Sequence, residues 1–128
     1  MSKLTDKYGA IYVLAERLGC KELNAVEKDG RMYISAICPT QYICNQIWDK
    51  TKEIDPELDD NDLTLDLKVE RQDIFGEYEV RPGDTLSGIA KKLSNGKLSY
   101  MQIFEANRHI LKDPNLIKVG QKLIIPKF

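Results

Sequence analysis

Two short runs, LNAVEK at 23–28 and RMYISAI at 31–37, are separated only by Asp29-Gly30. Asp and Gly both tolerate left-handed backbone, and a two-residue loop of that kind joins antiparallel strands whose twist it matches. The loop fixes register as well as topology. Lys28 must face Arg31 and Ala25 must face Ile34, so Leu23, Ala25, Met32, Ile34 and Ala36 fall on one apolar face.

The flanking segments carry the helical period. Leu4, Tyr8, Ile11, Tyr12, Ala15 and Leu18 share a face, and Gly19 is placed to stop that helix. A second helix opens at Pro39-Thr40 with Ile43, Cys44, Ile47, Trp48 and Thr51 on one side. It ends by Pro56, because the residue before a proline is pushed towards extended geometry. Leu63, Leu65, Leu67 and Val69 then alternate with polar residues, the pattern of a half-buried strand. The order is αββαβ, closing near Glu70.

A different arrangement follows. In YEVRPGDTLSGIA, residues 78–90, an alternating strand meets Pro82-Gly83, which stops it. Asp84 is expected to cap a helix whose face is Leu86, Ile89, Ala90 and Leu93. Ser99 and Gln102 have capping-box spacing ahead of a second helix from Tyr100 to about Asn107. DPNLIKVGQ is turn-rich, and KLIIP closes as a strand stopped by Pro126. The order is βααβ. The expected fold class is therefore α+β in two small domains, 1–72 and 78–128, joined by a linker at 73–77.

Composition narrows the function classes. The chain of 128 residues is 30% charged yet has a net charge of −1, which gives no electrostatic reason to expect nucleic acid or an anionic membrane. No segment is long and apolar enough to span a bilayer. The N-terminal helix carries charges where a secretory signal needs a continuous apolar core, so a cytoplasmic location is expected. Cys20, Cys38 and Cys44 show no CxxC and no neighbouring His, and are expected as small core residues.

YEVRPGDTLSGIAKKL, IFEAN and DPNLIKVGQKLIIP together resemble a LysM module from end to end. The hairpin EKDGRMYIS and the strand LTLDLKVE make residues 1–72 similar to a BON domain. The pair resembles the small bacterial BON–LysM potassium-binding proteins. The LysM resemblance implies two antiparallel strands with two helices packed on one side. It also implies a shallow groove between the loop Gly83-Asp84-Thr85-Leu86 and the loop containing Asp113, Asn115, Leu116 and Ile117. There, backbone groups would bond the acetamido groups of peptidoglycan or chitin-type oligosaccharide, and Leu86, Leu116 and Ile117 would touch sugar faces. The BON–LysM resemblance implies instead a potassium ion held by backbone carbonyls, since hard cations prefer oxygen.

Other candidates are poorer. The acidic loop with Asp55, Glu57, Asp59, Asp60 and Asp62 has alternating carboxylates suited to a divalent cation. Asp60, however, stands where a calcium loop needs glycine. His109 has no triad motif around it, and nothing marks the paired carboxylates of a glycosidase. The expectation is a non-enzymatic, monomeric binding protein without a cofactor.

Overall fold

The computed structural model describes residues 3–56 and 62–128. The chain divides into two compact units, Met1–Gln72 and Asp73–Phe128, and the fold is mixed α+β.

In the first unit, helix α1 (Lys3–Arg17) buries Tyr8, Ile11 and Ala15. It ends in a Schellman arrangement around Gly19. The Gly19 amide donates to the Glu16 carbonyl at 3.2 Å and the Cys20 amide to the Ala15 carbonyl at 3.1 Å. Strands β1 (Lys21–Lys28) and β2 (Arg31–Cys38) form the expected hairpin. Lys28 pairs with Arg31 and Ala25 with Ile34. Asp29 and Gly30 have φ of 54° and 76°, the positive pair a type I′ turn requires. Helix α2 (Gln41–Ile54) is capped by the Thr40 hydroxyl. Strand β3 (Leu63–Val69) then returns parallel to β2, giving the order β1-β2-β3.

The buried face differs from the expected one on β1. Met32, Ile34, Ala36 and Cys38 of β2 are buried, whereas Ala25 is exposed and Leu23 only half-buried. The strand is an outer one, and an open groove of about 310 Å3 lined by Gly9, Tyr12, Ala25 and Glu27 lies between it and α1. Gly9 contributes to that opening: a Cβ there would meet nothing within 4 Å. The core instead gathers Tyr8, Ile11, Met32, Ile34, Cys44 and Ile47, with β3 leucines packed against it.

In the second unit, strand β4 (Ile74–Glu79) pairs antiparallel with β5 (Lys122–Pro126). β4 begins at Ile74, so residues 74–77, expected as linker, are strand. Their apolar groups explain it: Ile74 and Phe75 are buried, and the Phe75 ring lies 4.8 Å from that of Phe128. Helices α3 (Leu86–Ser94) and α4 (Tyr100–Ala106) follow, α3 against α4 and α4 against β5. The capping box of α4 is present, Ser99 Oγ accepting from the Gln102 amide and Gln102 Oε1 from the Ser99 amide. This unit has the βααβ order.

Candidate functional site

The end of the β4/β5 pair launches both loops singled out in the sequence. Val80 donates its amide to the Gln121 carbonyl and accepts from the Gly120 amide, each at 2.9 Å, extending the ladder one residue past β4. The chain then turns through Arg81-Pro82-Gly83-Asp84. Pro82 presets the second position, Gly83 takes φ 84°, and the Asp84 amide closes the turn on the Arg81 carbonyl at 3.1 Å. These are the features of a type II turn.

Asp84 does not cap α3, as the sequence suggested. Its Oδ2 accepts from the Arg81 amide at 2.8 Å and from the Tyr78 hydroxyl at 2.7 Å. The Arg81 amide, then the Tyr78 hydroxyl, hold its carboxyl below the usual range. The cap is the next residue: Thr85 Oγ1 accepts from the Gly88 amide at 3.1 Å, and Thr85 has extended backbone. The carboxylate is drawn back to Tyr78, which frees the neighbouring hydroxyl for the helix.

Leu86 is also displaced from its expected role. It is 2% exposed and belongs to the core with Ile89, Ile103 and Leu123, so it offers no face to a sugar. Of the first loop, Gly83 and Thr85 are exposed and Asp84 is half-buried.

The second loop is held by its own side chains. Asn107, fully buried, donates from Nδ2 to the carbonyls of Ile103 and Ile124 at 2.7 and 2.8 Å, and its Oδ1 accepts from the Ile124 amide at 2.8 Å. This ties the end of α4 to β5. Further on, Asp113 Oδ1 accepts from the Asn115 amide at 2.8 Å, and the Asp113 carbonyl from the Leu116 amide at 3.1 Å. Those two amides are therefore spent on the turn. Gln121 Oε1 accepts from the Lys118 amide at 2.7 Å to close the last turn before β5. This loop exposes Leu116 (65%) and Val119 (64%) alongside the polar Asn115 and Lys118, with Asp113 and Ile117 half-buried. Val119 was not singled out in the sequence; its signal is an aliphatic residue placed directly before a turn glycine.

The acidic candidates fare differently. Asp55 is the C-cap of α2 and almost fully buried, its amide bonded to the Thr51 carbonyl. Glu57 and Asp59 lie outside the described residues. Among the described residues, no group of three or more His, Cys, Asp or Glu is arranged to hold a metal ion. Nor is any helix among them long and apolar enough to cross a membrane.

Residues 78–126 match the LysM domain family model. The chain is 48% identical over 50 residues to the potassium binding protein Kbp of Escherichia coli O6:H1, covering 39% of this chain and 34% of that protein. It is 36% identical over 91 residues to the N-acetylmuramoyl-L-alanine amidase XlyB of Bacillus subtilis, covering 70% of this chain and 26% of the amidase. It is 45% identical over 49 residues to the secreted LysM effector Mgx1LysM of Zymoseptoria tritici, 38% of this chain and 49% of the effector. Each match thus spans less than half of the relative.

Proposed function

With residues 78–126 taken as a LysM module, we propose that the protein is a non-enzymatic, monomeric binding protein. Its second unit takes up N-acetylglucosamine-containing glycan of the peptidoglycan or chitin type. The observation that carries this is the pair of loops launched from one end of β4/β5, one turning through exposed Gly83 and Thr85 and the other exposing Leu116 and Val119. Aliphatic side chains beside fixed backbone turns suit the apolar faces and acetamido groups of a neutral sugar, and such recognition needs no titrating group. The name of the similar N-acetylmuramoyl-L-alanine amidase agrees with that class of ligand.

On this reading Gly83, Thr85, Asn115, Leu116, Ile117 and Val119 face the glycan. Asp84, Asp113 and Leu86 shape the loops behind them. Each neutral hydrogen bond nets only about 0.5–1.5 kcal/mol, so a single site binds weakly and gains from long or multivalent glycan. The αββαβ order supports reading residues 1–72 as a BON-like domain.

A second reading rests on the 48% identity to a potassium binding protein. In it, backbone carbonyls hold the ion. One titration separates the two. Amide NMR shifts are followed with chitooligosaccharide, then with potassium chloride against a sodium chloride control. Sugar-dependent shifts at Gly83–Thr85 and Asn115–Val119 support the glycan site. Sugar-independent spectra with potassium-specific shifts replace it with the cation reading.

A further inference from the structure

The three cysteines, scattered at 20, 38 and 44 and expected as inert core residues, converge in the first unit. Two features of the chain bring them together. The Schellman ending of α1 ties the Cys20 amide to Ala15 and delivers Cys20 to the start of β1. A bulge between Lys21 and Asn24, with Glu22 at φ 49°, then shifts the hairpin register by one residue, so that Lys21 pairs with Ile37. Extending that register by one position beyond β1 brings Cys20 opposite Cys38. Continuing the register set by Asp29-Gly30 without the bulge would put Lys21 there instead. Cys44 joins from the first turn of α2, where its amide bonds the Thr40 carbonyl at 3.1 Å. Cys38 and Cys44 belong to one buried cluster, and Cys20 packs against it.

We propose that Cys20 and Cys38 are a redox modification site that closes to a disulfide on exposure to a low-molecular-weight disulfide, with Cys20 as the thiol that meets the oxidant. Directly opposed residues of antiparallel strands have Cα atoms about 4.5–5.5 Å apart, inside the roughly 4.4–6.8 Å range of disulfides. Accessibility sets the order of events. Cys38 and Cys44 are buried, while Cys20 is only half-buried. The Cys20 thiolate attacks one sulfur of the small disulfide, whose S–S bond breaks and whose leaving thiolate takes up a proton. Cys38 then gives up its proton and attacks the Cys20 sulfur, expelling the second small thiol. The protein pair loses two hydrogens and two electrons, and the small disulfide is reduced to two thiols.

Burial pushes all three thiols up from their usual range, Cys38 most of all. The cluster therefore stays protonated near neutrality, and closure accelerates as the pH rises. Cys44 does not convert the cluster into a metal site, since the described residues hold no three-ligand arrangement.

The test uses the intact chain in a glutathione buffer rich in the oxidised form, quenched with acid and alkylated. Intact mass is then measured, and non-reduced peptides are mapped with chymotrypsin, which cuts after Tyr42 and so separates Cys38 from Cys44. The expected product has lost two hydrogens, retains no glutathione, joins the Cys20 and Cys38 peptides and carries one alkyl group on Cys44. Cys20→Ser abolishes the cross-link and Cys44→Ser preserves it. An unchanged mass, glutathione retained on Cys20, or a cross-link involving Cys44 overturns the proposal. The wild-type map alone decides among these outcomes, so the conclusion does not depend on how well either variant folds.

Discussion

The Tyr78 hydroxyl donates a 2.7 Å hydrogen bond to the Asp84 carboxylate, across the turn that leads from β4 into α3. The same oxygen accepts from the Arg81 amide, so one carboxylate fastens the strand, the turn and the approach to the helix. Because these donors hold the Asp84 carboxyl below its usual range, the stabilisation is present above that range and is lost as pH falls through the folded value. Asp84→Asn is expected to lower the melting temperature at neutral pH, and the gap from wild type should close in acid. Circular dichroism melts across that span check it; a gap independent of pH contradicts it.

Tyr8 and Asp62 form a similar pair in the first unit. The buried phenol donates to Asp62 at 2.7 Å, with the Lys7 ammonium 3.4 Å from the other carboxylate oxygen. Burial, reinforced by the Asp62 carboxylate, pushes the Tyr8 hydroxyl up to about 12. The Tyr8 hydrogen bond, ahead of Lys7, lowers the Asp62 carboxyl. Tyr8→Phe keeps the ring packing and removes the bond, at an expected cost of about 1 kcal/mol. Urea unfolding monitored on first-unit amides measures it, and the cost should shrink once Asp62 is protonated.

Asn107 is fully buried, and its three hydrogen bonds link the end of α4 to β5. Asn107→Ala strands the Ile124 amide and carbonyl, with an expected loss of about 3 kcal/mol. Asn107→Asp should be no better, since a carboxylate offers acceptors where two carbonyls need a donor. Hydrogen exchange of the β5 amides reports either loss.

Leu116 and Leu86 separate binding from folding. Leu116→Ala is expected to leave the melting temperature unchanged and to weaken glycan binding about fivefold, corresponding to roughly 1 kcal/mol of lost apolar contact. Leu86→Ala should instead cost about 2–5 kcal/mol of stability, as core truncations do. Calorimetric titration with chitooligosaccharide, beside thermal melts of both variants, is the measurement. Unchanged affinity in Leu116→Ala removes that side chain from the proposed sugar face.

Much of the architecture was legible because it rests on neighbours in sequence. Asp29-Gly30 specifies its turn through the φ values those two residues accept. The Ser99–Gln102 box satisfies helix amides within one turn, and Gly19 ends α1 by the same short-range logic. The positions of the two loops could be read in the same way, from Pro82-Gly83 and from the Asp113 turn.

Residue roles within the loops escaped that logic. Asp84 and Thr85 are both able caps, and the choice between them falls to Tyr78, whose hydroxyl is brought in by the strand and claims the carboxylate. Leu86 looks as available to a ligand as Leu116 until the helices assemble and bury one but not the other. Ala25 has the right phase for the core, yet it sits on an outer strand beside a groove that Gly9 leaves open.

The amino-acid order alone determined the order of the elements, the capping box of α4 and the hairpin register near its turn, because hydrogen bonds within a few residues and the periodicity of apolar side chains govern these. Only the tertiary structure decided which apolar residues are covered, which polar groups are claimed, and that a one-residue bulge shifts the register so that Lys21 faces Ile37. Burial and register are properties of distant segments packed together, and no short stretch of chain carries them.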